Sequence, residues 1–251
     1  MDLLTTKREL EIAVLSDIHL ATFGCHSKEL VLYLQSINPK ILILNGDIID
    51  CWSFSKRYFP TSHFDVLKEI INMLDGGTRV IYLLGNHEDN LRKFGRVELG
   101  NLLVTDNLVC ELDGKVYWFF HGDAFDATTK GIAIILAKIG GKGYDLLIVL
   151  NRVINWFLRV AGWGKVSFSK RIKNSVKNAV KWINNFEETI AELAIEKKYD
   201  YVVCGHIHTP AQKVIKTSKG SVVYLNSGDW VENLTSLEYD KGEWKLFTYK
   251  N

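Results

Sequence analysis

The sequence predicts an α/β protein that carries a helical insertion. Three observations say so. Short apolar, β-branched runs alternate with stretches of helical periodicity across residues 11–125. Strand-like runs return across 199–250, separated by Lys-Gly and Ser-Gly turns. Between them, residues 127–198 lack strand-like alternation and are rich in Lys, Arg and Trp.

The first part reads EIAVLSDIHL, ILILNGDIID, VIYLLGNHED and VYWFFHGD, four runs apolar enough for buried strands. Residues 28–37 and 64–74 carry apolar side chains at three- and four-residue steps, and Gly76-Gly77 supplies a helix stop. Strand, helix, strand, helix implies a parallel or mixed sheet covered on both faces. The last part, from YDYVVCG to EWKLFTY, has short strands and close turns, which predicts antiparallel pairing there. Within the insertion, Ile172, Val176, Val180, Ile183, Phe186, Ile190 and Leu193 recur at helical spacing, and Lys173, Lys177 and Lys181 form one ridge. We read 1–251 as a single domain with a helical insert at approximately 127–198.

Length and composition bound the function. A chain of 251 residues supports one sizeable core or a core with an inserted lobe. A formal charge of +2 argues against a surface built for nucleic acid. The four cysteines show no CxxC spacing, so free thiols are expected. Charged residues at 7–9 and 11 break any secretory core near the start, and no run reaches the ~18 apolar residues of a membrane span.

Chemistry is concentrated where the strands end. Asp17, His19, Asp47, Asn86, His87, His121, His206 and His208 stand just past five apolar runs. Loops at the carboxyl ends of strands line the active crevice of open α/β sheets. Carboxylate, amide and imidazole donors converging from five strands suit a two-metal hydrolytic site. The mixed oxygen and nitrogen set favours Mn²⁺, Fe²⁺, Zn²⁺ or Co²⁺ over Ca²⁺. Asp47, central in the order, is the natural bridging carboxylate.

The series Asp17-Ile18-His19, Gly46-Asp47-Ile48-Ile49-Asp50, Gly85-Asn86-His87-Glu88, the isolated His121 and Gly205-His206-Ile207-His208 resembles the calcineurin-like metallophosphoesterase family. The resemblance covers roughly 11–125 and 199–235 and implies a metallophosphoesterase-type αββα two-sheet sandwich. It implies one divalent metal on Asp17, His19, Asp47 and His208, and a second on Asp47, Asn86, His121 and His206. Mn²⁺ is the expected ion. His87, paired with Asp50, would be catalytic: a carboxylate-held imidazole that stabilises or protonates the leaving oxygen while metal-activated hydroxide attacks phosphorus. Asp50 could instead cap the following segment. Asp123 and Asp126 could orient ligands or shape turns, while His26 and His63, outside every motif, read as surface histidines.

GDIIDCW, HGDAFD, VKNAVKWINNFEE and CGHIHTP followed by NSGDWVE are similar to the UDP-2,3-diacylglucosamine diphosphatase-like branch of that family. This implies cleavage of the pyrophosphate of a UDP-linked diacylglucosamine lipid in lipid A synthesis, releasing UMP. It also implies a peripheral place on the cytoplasmic face of the inner membrane. Trp156 and Phe157 would meet acyl chains and Lys173, Lys177 and Lys181 phosphates, with packing and a solvated face as the alternatives. The sequence departs from that branch at His87, where the best-established diphosphatases carry Arg. A broader metallophosphodiesterase or phosphatase on a soluble nucleotide is the alternative enzyme, and a non-catalytic membrane-docking protein the alternative outside catalysis.

Overall fold

The computed structural model describes residues 7–51, 58–125, 183 and 185–250. The chain divides into two compact units, Met1–Asp123 with Thr189–Asn251, and Ala124–Glu188. Within the second, Ile183 and residues 185–188 are helical, and Phe186 is buried. Trp156, Phe157, Lys173, Lys177, Lys181 and Asp126 lie outside the described residues, as does most of the expected insert.

The first unit holds two sheets. Strands β1 (Arg8–Leu15), β2 (Ile37–Asn45), β3 (Arg79–Leu83), β4 (Val97–Leu99), β5 (Leu102–Thr105), β11 (Thr235–Asp240) and β12 (Glu243–Thr248) form a seven-stranded sheet in the order β12-β11-β1-β2-β3-β5-β4. Strands β6 (Asn107–Leu112), β7 (Lys115–Phe120), β8 (Tyr201–Cys204), β9 (Ala211–Thr217) and β10 (Gly220–Asn226) form the other, in the order β6-β7-β8-β10-β9. Helices α1 (Ser27–Ser36) and α2 (Thr61–Asp75) supply the crossovers between parallel strands. Gly77, at φ 95°, takes the left-handed step beyond α2.

Alternation along the strands sorts the core into two layers. Ala13, Leu15, Leu42 and Leu44 turn towards Leu30, Tyr33, Leu34, Val66 and Ile70 of the helices. Their neighbours Ile12, Val14 and Ile43 turn the other way, onto Tyr117, Phe119, Val203 and Leu225 of the second sheet. A period of two thus buries both faces of the first sheet, one under helices and one against a sheet.

Two expectations need correction. Between Gly95 and His121 the strand expected at VYWFFHGD is joined by three that were not expected, β4, β5 and β6, too short or too polar to stand out by periodicity. The late strands are not uniformly antiparallel either. β8 runs parallel to both β7 and β10, because β7 and β8 are far apart in sequence and need no hairpin. The hairpins β9–β10 and β11–β12 are antiparallel as expected.

Candidate metal centre

Strands β1, β2, β3, β7 and β8 deliver the eight side chains to one rim. Their loops continue to pair after the strands end: Asp17 N–H donates to Gly46 O at 3.0 Å, His19 N–H to Asp47 O at 3.0 Å, and Gly205 N–H to His121 O at 2.9 Å. The backbone there is contorted. Asp17, His19, Asp47, His206 and His208 have φ of 50°, 53°, 53°, 70° and 51°. A non-glycine residue in that region costs on the order of 1 kcal/mol or more, and such residues persist only where surroundings impose them. The strain turns five donors in from the rim.

Two of the motif glycines are fixed by close approach. A Cβ on Gly85 would overlap the Asp47 carboxylate, and one on Gly205 would overlap Ser16 and Asp17. These loops pass so near one another that only a hydrogen fits between them.

Two donor clusters result. Asp17, His19 and His208 form one, and Asp47, His121 and His206 the other, with the donor atoms of each within 4.8 Å. In the first, Asp17 Oδ2 accepts from His206 N–H at 3.0 Å, while Oδ1 lies 3.3 Å from His208 Nε2 and has no hydrogen bond. In the second, Asp47 Oδ1 accepts from His87 N–H at 3.0 Å, and Oδ2 lies 3.2 Å from His121 Nε2. His121 Nε2 and Asn86 Oδ1 are likewise buried without a hydrogen-bond partner. Buried polar atoms are rarely left so; a cation in the first cluster would satisfy Asp17 Oδ1, and one in the second His121 Nε2 and Asn86 Oδ1. The donor set therefore fits two borderline divalent ions.

Each ring has an oxygen behind its Nδ1, with Nε2 towards the centre. His121 Nδ1 sits 2.9 Å from Asn45 O, His19 Nδ1 3.7 Å from Asp50 Oδ2 and His208 Nδ1 3.5 Å from Asp229 Oδ2. Asp50 is two-headed, since its Oδ1 is also 3.0 Å from His87 Nδ1. His87 Nε2 is then aimed at the centre, 3.6 Å from Asp47 Oδ2. His19, Asp50 and His87 also make a third cluster of close donors. There the shared carboxylate faces the backs of both rings, an orienting arrangement.

Electrostatics agree. Burial alone would push the Asp47 carboxyl up, but the imidazoles of His121, His87 and His19 outweigh it and hold it well below the usual range. Burial lowers His121 and His208 too, yet Asp47 and Asp17 lift His121 to about 10, and Asp229 with Asp17 lifts His208 to about 9. His87 is raised against its burial by Asp50 and Asp47. The carboxylates demand positive charge here, as protons or as cations.

Three residues escaped the sequence reading. Glu88, buried, accepts from the backbone N–H of Asp47, Ile48, Ile49 and Gly85 and from Tyr82 Oη, at 2.7–3.0 Å. It locks the Asp47 loop to the His87 segment, and by accepting from Gly85 N–H it supplies the glutamate half of a capping box, which a glycine N-cap leaves without its other half. Asp229 is the second. The third is His63, which is buried and not a surface histidine: its Nδ1 accepts from Ala21 N–H at 3.0 Å, which requires the neutral ring. His26 is partly exposed, 3.6 Å from Glu29. Asp123 lies 2.9 Å from Arg92, which also donates to Leu84 O at 3.1 Å, so the segments after β3 and β7 are tied together.

A two-sheet α/β frame with paired donor clusters at its strand ends defines a metallophosphoesterase. The chain belongs to the calcineurin-like phosphoesterase family, whose model matches residues 10–210. It is a phosphoester hydrolase of a family that uses divalent metals. It is similar to the UDP-2,3-diacylglucosamine hydrolase of Salmonella schwarzengrund (strain CVM19633), 22% identical over 199 residues, 79% of this chain and 81% of that one. A protein of the same name from Enterobacter sp. (strain 638) is 24% identical over 169 residues, 67% of this chain and 68% of that one. Among solved structures, an archaeal phosphodiesterase is 16% identical, covering 94% of this chain and 98% of its own, with a TM-score of 0.45. A phosphoesterase from E. coli is 13% identical, covering 95% and 99%, with a TM-score of 0.44. Among the described residues no helix is long and apolar enough to cross a membrane.

Proposed function

We propose that the protein is a two-metal hydrolase that cleaves the pyrophosphate of a UDP-linked diacylglucosamine lipid, working at a cytoplasmic membrane surface. The observation that carries the reading is the pair of donor clusters, Asp17, His19 and His208 in one and Asp47, His121 and His206 in the other, with His87 held by Asp50 at 3.0 Å. Asp17, His19, Asp47 and His208 would hold one cation, and Asp47, Asn86, His121 and His206 the other. Mn²⁺ is the ion we propose. Bound there, the cations supply a nucleophile from water and neutralise oxygens around phosphorus. His87 Nε2, kept partly cationic by Asp50, hydrogen-bonds the phosphoryl group and gives its proton to the leaving oxygen. Asp50 holds that ring by Nδ1, so the proton it offers is the one facing the substrate. The lipid substrate rests on the relatives' name and on the insert motifs; Trp156, Phe157, Lys173, Lys177 and Lys181 are proposed to meet acyl chains and phosphates.

One observation favours a second reading. His87 stands where the diphosphatases that the sequence resembles carry Arg, so a phosphodiester of a soluble nucleotide is the alternative substrate. Purified, Mn²⁺-loaded protein in detergent separates the two, with UDP-2,3-diacylglucosamine as substrate and bis-p-nitrophenyl phosphate as control. The lipid reading expects UMP release above ~1 s⁻¹, an ordinary enzymatic rate. Turnover of the control alone would leave the phosphodiesterase and remove the lipid.

A further inference from the structure

Asp229 sits in the turn after β10, far in sequence from every donor motif, and is fully buried. Its two oxygens do different things. Oδ1 accepts from three successive amides, Val231 at 2.8 Å, Glu232 at 2.5 Å and Asn233 at 3.1 Å. That is a turn cap, and a neutral amide oxygen would serve as well. Oδ2 accepts from Asn233 Nδ2 at 2.6 Å and faces His208 Nδ1 at 3.5 Å. Asn233 Nδ2 also donates to the carbonyl of His208 at 2.9 Å, so the same pair grips that residue by ring and by backbone.

We infer that Asp229 is a positioning residue for the first donor cluster: it holds His208 as the Nδ1–H tautomer and so presents Nε2 to the metal position shared with Asp17 and His19. The inference rests on the two-metal reading. The geometry repeats around the centre, which argues for design over coincidence. His121 is backed at Nδ1 by Asn45 O and His19 by Asp50, and in each case Nε2 is left for the centre. His208 and His19 stack with centroids 5.3 Å apart and their Nε2 atoms 3.4 Å apart, an approach of two acceptor nitrogens that a common cation resolves. Only His208 among these rings is substantially open to solvent, at 36% exposure, so packing alone cannot fix it and a hydrogen-bond acceptor must.

The test uses the whole chain, stripped of metal, with Zn²⁺ as probe. Calorimetric titration of wild type, Asp229→Asn and Asp47→Ala gives affinity and stoichiometry. Asp229→Asn keeps an oxygen for the three amides and replaces the acceptor facing both His208 Nδ1 and Asn233 Nδ2 by a donor. We expect it to stay folded with a lower melting midpoint, from the lost Asn233 bond, and to bind one Zn²⁺ normally and the other ~10–100-fold more weakly, the usual span for lost outer partners of a ligand. A ¹⁵N spectrum of the Zn²⁺-loaded wild type should show His208 Nδ1 protonated, a readout that needs no variant to fold. Two tight sites in Asp229→Asn, or an unprotonated Nδ1 in wild type, would overturn the inference and leave the two-metal reading standing. Wild type that binds no Zn²⁺, or Asp47→Ala that binds it as wild type does, would overturn the two-metal reading itself.

Discussion

The two donor clusters are built from the same residue types and set up differently. His121 of the second is fully buried and backed by a main-chain carbonyl, which no side-chain substitution removes. His208 of the first is 36% exposed and backed by a carboxylate from a separate turn. A buried ring is held by its surroundings; an exposed one needs a charged partner to choose its tautomer. The first position should therefore exchange its metal more readily than the second, while Asp47, proposed to serve both, would make neither independent of the other.

Asp47→Ala puts that dependence under the greatest stress. We expect activity to fall by more than the ~10²-fold of an outer-partner loss and metal content to drop at both positions. Mass spectrometry of the purified variant checks this, and two retained metals would break the link. His87→Ala should separate chemistry from binding: both metals stay, while turnover slows by ~10²–10⁴. Parallel metal counts and initial rates read that out, and a lost metal would recast His87 as a donor.

Glu88→Gln strikes the joint beneath the second cluster. One amide cannot replace two carboxylate oxygens facing four N–H groups and a hydroxyl, so we expect a loss of about 2–3 kcal/mol in chemical denaturation. An unchanged midpoint would mean that the Asp47 loop holds itself. The smallest effect is the pH dependence of the metal-free protein. His208 and His121 keep their protons to about 9 and about 10, against ~6.5 in an unfolded chain. The native state binds more protons across that window, so this stability is complete below ~6.5 and fades as pH rises through 9 and then 10. His63, whose burial depresses it, acts oppositely: its contribution is complete above ~6.5 and lost as pH falls from there. Urea unfolding of stripped protein from pH 5 to 10 should show decline on both sides, with added Mn²⁺ restoring the alkaline side. A flat alkaline limb would deny the excess negative charge at the centre.

Most of the frame could be read from sequence because it is a local signal. Five apolar runs ending in Asp, Asn or His announced β1, β2, β3, β7 and β8, and helical periodicity announced α1 and α2 to within a few residues. β4–β6 were missed, since three short edge or half-exposed strands bury too little to leave a pattern. Glu88 stands inside the Gly85–Glu88 motif, but three of the amides it accepts from belong to the Asp47 loop 39–41 residues away, which no local spacing announces. His63 is in register with Val66, Ile70 and Met73 on the buried face of α2, just before the stretch whose periodicity reads as helix, and its partner, the amide of Ala21, lies 42 residues away.

By itself, then, the sequence determined which side chains stand at strand ends, because strand periodicity and strand-end position are properties of neighbouring residues. Only the tertiary structure decided how those side chains are used. The left-handed turns at Asp17, His19, Asp47, His206 and His208, the glycines that let Asp47 and Asp17 approach foreign loops, and the pairing of Asp229 with His208 all depend on segments that meet after the chain has closed. Strain and long-range hydrogen bonds have no sequence period, and so they are legible only in three dimensions.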